Sequence, residues 1–117
     1  MSIETDVFET LSGVCPRVFP DFAPTETQRP FVTWSIIGGR PIRPIGKDVP
    51  NRRHAMIQIN VWASTRIEAN EMMVDIDAAM RQATAFDSLP NGELMTVFDE
   101  QSTLRGAIQD FDVYGFR

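Results

Sequence analysis

The sequence contains one histidine and one cysteine, the side chains that most often carry acid–base or nucleophilic chemistry. A general base for serine or cysteine chemistry, or a zinc ligand, must stand beside a nucleophile or beside further ligands. His54 lies in strand register with Met56, and Cys15 is far away along the chain. We therefore interpret His54 as a plain surface or edge residue and predict no catalytic residues around it.

Carboxylate pairs are the other groups that could act as acid and base or hold a hard cation. Three pairs occur: Asp75/Asp77, Asp99/Glu100 and Asp110/Asp112. The first pair is two residues apart on a predicted helix and does not face one direction, whereas Asp110 and Asp112 share a strand face. No glycine-rich calcium or phosphate loop accompanies them. We expect solvated faces or intersubunit ion pairs, with no metal and no cofactor.

Length and charge limit the class of protein. The 117 residues, 43% of them hydrophobic, predict one domain over residues 1–117 with a single core. The net charge of −5 argues against a general nucleic-acid binder, because phosphate attraction needs a basic surface. A single cysteine excludes an internal disulfide and suits a reducing compartment. The sequence shows no signal-peptide pattern and no apolar run of membrane-spanning length. We expect a cytoplasmic protein without a membrane partner.

The charge is segregated along the chain. Residues 40–53, called the basic segment below, carry +4, and the remainder carries −9. The basic residues of this segment are Arg40, Arg43, Lys47, Arg52 and Arg53. Opposite charges on one molecule favour attraction to acidic surfaces, including other copies of the same chain. The connection from Gly38 to Arg52 also has three glycines and three prolines, so we expect it to be mobile until a partner orders it. A solvated hairpin tip is the alternative.

Periodicity predicts the elements that position these groups. From Arg53 to Ala63 apolar and mixed residues alternate, which is typical of a strand. Thr65 and Glu68 form a capping box that opens a helix with an apolar stripe extending to Ala83. Further patterns predict a helix capped by Ser2, and strands over residues 31–37, 93–99 and 105–116, while residues 18–30 have no predicted element. Asn91-Gly92 predicts a turn. The resulting fold is α+β: a four-stranded mixed or antiparallel sheet, both helices on one face, and a long loop between the first two strands.

Two tryptophans are candidates for an interface. The strand over residues 31–37 has apolar side chains on both faces, including Trp34, so one face needs a cover from the chain or from a neighbouring molecule. Trp62 lies on the mixed face of the next strand. Tryptophan is enriched where interfaces concentrate their binding energy. We predict Trp34, Trp62, Asp110 and Asp112 as interface residues on the strands, and the basic segment as the interface on the loop.

Three stretches together resemble a known family. The proline-punctuated VFPDFAPTETQRPFVTW is followed by the strand–helix run RRHAMIQINVWASTRIEANEMMVDIDAAM, and the chain closes on QDFDVYG. This layout resembles the small tail completion proteins of long-tailed phages and prophages, and is similar to tail terminator and tail-to-head joining proteins. The resemblance covers nearly the whole chain and transfers no catalytic residue.

The resemblance implies a structural protein with no enzymatic activity. Copies would associate head-to-tail into a ring, expected as a hexamer, that caps the tail tube, ends its polymerisation and offers a surface for head joining. Its partners would be itself, the tail tube protein and a head connector or completion protein, with no sequence-specific nucleic acid. Its place would be the host cytoplasm during assembly and then the head-facing end of the virion tail. Two alternatives stay open: a small ligand-binding or enzymatic domain using the Asp110/Asp112 face, and another connector component such as an adaptor or stopper.

Overall fold

A computed structural model describes residues 2–42, 46–47 and 49–117 of the chain. Two helices, α1 (Ile3–Ser12) and α2 (Arg66–Gln82), accompany five strands. The strands are β1 (Val18–Pro20), β2 (Phe31–Gly38), β3 (Arg52–Ala63), β4 (Asp87–Asp99) and β5 (Leu104–Phe116). The α+β class and both helices are as predicted. No helix of the described residues is long and apolar enough to cross a membrane.

The sheet has the order β1-β2-β3-β5-β4. β1 pairs with β2 in parallel, and the other neighbours are antiparallel, which makes the sheet mixed. β3 and β5 pair along their whole length, from Arg52 opposite Phe116 to Ala63 opposite Arg105. These two strands form the centre of the sheet, and β4 is a free edge.

The prediction of four strands is wrong, because residues 18–20 form a fifth. β1 is only three residues long and pairs through its backbone with Val32, Thr33 and Trp34 of β2. Pro20 ends it at the sheet edge, where a missing N–H costs no ladder hydrogen bond. A three-residue edge strand gives no period-two pattern, so periodicity could not find it.

The predicted turn at Asn91-Gly92 is also wrong. β4 runs through both residues, and its pairing with β5 shifts register between Asn91 and Met95. Gly92 takes φ +82° there, and its carbonyl accepts a 2.6 Å hydrogen bond from the side-chain amide of the buried Gln109. A bulge and a turn need the same left-handed glycine, so the dipeptide alone does not distinguish them.

Both helices begin at the predicted caps. The N–H of Thr5 donates to Ser2 Oγ at 3.3 Å, and that of Glu68 donates to Thr65 Oγ1 at 3.2 Å. Glu68 Oε1 accepts in return from the N–H of Ser64 rather than from that of Thr65. These bonds satisfy N–H groups that a helix start would leave without partners.

The sheet has one covered face and one open face. The helices contact each other, and both contact β5, so they cover the same side. Alternate residues of β3 point into that core and are fully buried: Ala55, Ile57, Ile59, Val61 and Ala63. The intervening residues His54, Met56, Gln58, Asn60 and Trp62 lie on the other side, which we call the open face. The functional candidates lie mainly on this face.

Candidate functional site

The basic segment lies at the end of the sheet where β2 finishes and β3 starts. Its described residues between the strands, 40–42, 46–47 and 49–51, have no helix or strand. Arg40 and Lys47 are exposed. Arg52 lies 3.9 Å from a carboxylate oxygen of Asp87 and stacks over the ring of Phe116 at 4.9 Å. The predicted interface residue Arg43 lies outside the described residues, and the mobility of the loop stays a prediction.

The interpretation of His54 as a plain surface residue is wrong. Its side chain is 3% exposed and joins three parts of the fold. Nδ1 accepts a 2.8 Å hydrogen bond from the backbone N–H of Arg40, and Nε2 lies 2.8 Å from Asp112 Oδ1. The ring also lies 4.6 Å from that of Tyr114. Because Nδ1 accepts, the neutral ring carries its proton on Nε2 and donates it to Asp112. His54 thus fixes the base of the basic segment to the sheet.

The pair Asp110/Asp112 shares the open face, as predicted, and both carboxylates have partners. Asp110 Oδ1 accepts from Gln58 Nε2 at 3.3 Å, and Asp112 Oδ2 accepts from Asn91 Nδ2 at 3.2 Å. Among the described residues, no group of three or more histidine, cysteine or acidic residues could hold a metal ion. The bonds link β3, β4 and β5 across the open face, so these carboxylates help to hold the three strands together.

The other chemically capable residues do not meet these groups. Cys15 is fully buried, and its Sγ lies 3.6 Å from the carbonyl of Arg17 and 3.7 Å from that of Pro30. Asp77 forms an i,i+4 ion pair with Arg81 at 3.0 Å. Asp75 lies exposed on α2, and Asp99 and Glu100 lie at the β4–β5 turn. Among the described residues, His54 and Asp112 are the two of these candidates that contact each other.

The two tryptophans have different environments. Trp34 is 5% exposed and belongs to the chain's own core. The core covers its apolar side chain, so burial of this residue needs no partner molecule. Trp62 lies half-buried on the open face, across from Gly106 of β5. A Cβ at Gly106 would stand 2.8 Å from the Trp62 ring, so the ring rests directly on the backbone there. Only Trp62 is placed to meet a molecule on the open face.

The apolar part of the open face was not predicted from the sequence. Four of its large side chains are 40–67% exposed: Leu89, Met95, Tyr114 and Phe116. They alternate with charged and polar residues along β4 and β5, which made them look like one side of ordinary half-buried strands. The register places Leu89 beside Asp112 and Met95 beside Ile108. Exposed apolar patches with a polar rim are a feature of protein interaction sites, so this part of the face is a candidate interface.

Comparison with known families decides the identity. The model of the family described as tail completion protein gp17 matches residues 4–113. The chain belongs to this family. The resemblance to phage tail completion proteins is thereby confirmed, and the match includes the basic segment, His54 and the Asp110/Asp112 pair.

Other comparisons add little to membership of the tail completion family. No curated protein matches the chain. One solved structure, of a protein without a functional name, is similar over 99% of this chain and 91% of that chain, at 13% identity and a TM-score of 0.48. A likeness at that level carries no argument about function.

Proposed function

We propose that this tail completion protein is a structural component that caps the phage tail tube, ends its polymerisation and offers a surface for head joining. In this proposal copies associate head-to-tail into a ring, expected as a hexamer, without an enzymatic step. The family match over residues 4–113 carries the proposal. Its place would be the host cytoplasm during assembly and then the head-facing end of the virion tail.

Two features of the surface support self-association. The basic segment lies at one end of a molecule that is 51 Å long, and the rest of the chain is acidic. Both helices that the structure describes lie on the other side of the sheet, and the open face exposes apolar side chains beside carboxylates. A contact between two different surfaces of identical copies closes into a ring when the rotation between them permits.

The Asp110/Asp112 pair supports this proposal better than a ligand-binding role. Each carboxylate already accepts hydrogen bonds from neighbouring side chains, and those bonds bridge three strands. A rigid acidic face can receive a basic partner without reorganisation. The partners expected on this basis are further copies of the chain, the tail tube protein and a head connector protein.

Sedimentation velocity tests the proposal directly. The protein is measured over a concentration series at low and high salt, alone and with purified tail tubes of its phage. We expect a discrete oligomer, or, for a chain that assembles only on its tube, co-sedimentation with the tubes that high salt weakens. A monomer at every concentration that also fails to bind the tubes would contradict the proposal.

A further inference from the structure

A cleft of about 500 Å³ lies on the open face, at the end opposite the basic segment. Residues 21–29, which we call the strap, form one wall. The floor consists of side chains from three strands: Phe31, Thr33, Asn60, Trp62 and Leu104. This volume falls in the range of ordinary ligand sites and holds a few side chains of a peptide.

The wall of the cleft is fixed at both ends. The N–H of Asp21 donates to the carbonyl of Trp34 at 2.7 Å, where the strap leaves the sheet. At the other end the guanidinium of Arg29 donates to the carbonyl of Ser102 in the β4–β5 turn. A preformed cleft loses little conformational entropy when it binds.

The chemistry of the cleft favours a ligand that is both basic and apolar. Its rim has three exposed carboxylates, Asp21, Glu26 and Asp99. The hydroxyl of Ser102 donates to Asp99 at 2.7 Å and holds the pKa of that carboxyl below its usual range. These three carboxylates outnumber the one guanidinium of the lining, that of Arg29, so the rim carries a net negative charge.

The floor adds apolar contact and one free acceptor. The aromatic side chains of Phe31 and Trp62 lie in it. Asn60 donates to Thr33 through Nδ2, while its buried Oδ1 has no hydrogen-bond partner among the described residues. Extended, proline-rich segments are known to dock into aromatic-lined grooves.

The composition of the basic segment matches the acidic rim and apolar floor of the cleft. It alternates arginine or lysine with proline and aliphatic residues, and carries +4. Its described aliphatic side chains are exposed, Ile42 by 39% and Val49 by 74%. Burial of such side chains on an aromatic floor removes apolar surface from water, which favours binding.

The segment cannot reach the far end of the cleft in its own chain. Trp62 lies ten residues along β3 from Arg52, which is about 33 Å at about 3.3 Å per residue. The connection between β2 and β3 is anchored at both ends, and the hydrogen bond from Arg40 to His54 fixes its base. Half of a thirteen-residue loop extends at most about 23 Å. The segment therefore falls short of Trp62 in its own chain, whereas the segment of another copy can enter the whole cleft.

We propose that the cleft beneath the strap receives the basic segment of the next copy of this chain. The inference rests on the proposed function, which it deepens by naming the two surfaces that meet. The basic segment and the cleft lie at opposite ends of the same open face. The contact between two copies is therefore heterologous and repeats around a ring. Each copy offers one segment and fills one cleft.

The test uses the full-length, isotope-labelled chain and a synthetic peptide with the sequence of residues 40–53. We expect amide and indole chemical-shift changes at Trp62 and along the strap, with a dissociation constant that rises as salt is added. The variant Glu26→Lys should weaken peptide binding about tenfold or more, and Glu71→Lys, an exposed reversal on α2, should leave it unchanged. Absence of shifts at millimolar peptide, or shifts confined to Leu89 and Tyr114, would overturn the inference.

Charge exchange separates this inference from the proposed function. Glu26→Lys and Lys47→Glu should each impair assembly on tail tubes, and the two changes in one chain should restore it. If the wild-type chain and Glu26→Lys cap tubes equally well, the inference fails and the proposed function stands. If the peptide occupies the cleft but the wild-type chain never binds tubes, the cleft contact stands and the proposed function fails.

Discussion

Replacing His54 by alanine tests whether the base of the basic segment is fixed to the sheet. The change removes two hydrogen bonds of a buried ring, one from the N–H of Arg40 and one to the carboxylate of Asp112. A neutral bond contributes about 1 kcal/mol and a bond to a charged acceptor about 1.5–3 kcal/mol. The expected loss is about 2.5–4 kcal/mol in the free energy of unfolding. For a chain of this length, that lowers Tm by about 10–16 °C.

Thermal unfolding measures this loss, and amide hydrogen exchange locates it. In the wild-type chain the Arg40 amide should exchange slowly for a loop residue, since His54 Nδ1 accepts its hydrogen. In His54→Ala that protection should vanish, while the amides of β3 beyond Met56 stay protected. Asp112→Asn is the matched control, because its amide oxygen still accepts from Nε2, and it should cost less. A wild-type Arg40 amide that exchanges as fast as an exposed loop amide would show that His54 does not hold the base of the basic segment.

Three further changes test other parts of the structure. Gly106→Ala places a Cβ 2.8 Å from the Trp62 ring, so we expect a loss of about 1–3 kcal/mol in unfolding free energy by chemical denaturation. Thr65→Ala removes the cap of α2 and should cost about 1 kcal/mol by the same measurement. Reversing Arg40 and Lys47 to glutamate should change stability by less than about 1 kcal/mol, since both side chains are exposed. It should weaken assembly on tubes about tenfold or more, as measured by sedimentation.

Two of these changes have a control in the same chain. Gly13→Ala lies at the end of α1 with an ordinary helical φ of −70°, so it should be nearly neutral where Gly106→Ala is not. Reversal of Arg66 and Arg81 on α2 alters the net charge as much as reversal of the loop pair, and should leave assembly intact. Equal effects of the two reversals would show that net charge, and not the basic segment, drives association.

The sequence predicted the elements whose burial is periodic. The alternation of Ile57, Ile59 and Val61 gave β3, because one face of that strand is fully buried and the other is not. Side chains at three- and four-residue spacing gave α2, and its cap at Thr65 is made by the local bond that the capping box describes. These features depend on neighbours in sequence, so a sequence pattern carries them.

Features that depend on distant residues were missed. β1 exists because its backbone pairs with β2, and the role of His54 depends on Asp112, 58 residues away. The exposed apolar side chains of β4 were not recognised, because they alternate with polar residues and the pattern does not show which face of the strand stays uncovered. Trp34 looked like an interface residue, and its burial follows from the packing of the whole core. The cleft likewise forms from four separate segments.

Electron microscopy of tail tubes shows directly whether this chain caps the tube and ends its growth. Tubes are polymerised from purified tube protein of the same phage with and without a molar excess of this chain, and their ends and lengths are recorded. We expect a ring of added density at one end of each tube and arrest of growth at that end. Tubes that continue to lengthen at saturating protein, with both ends bare, would contradict it.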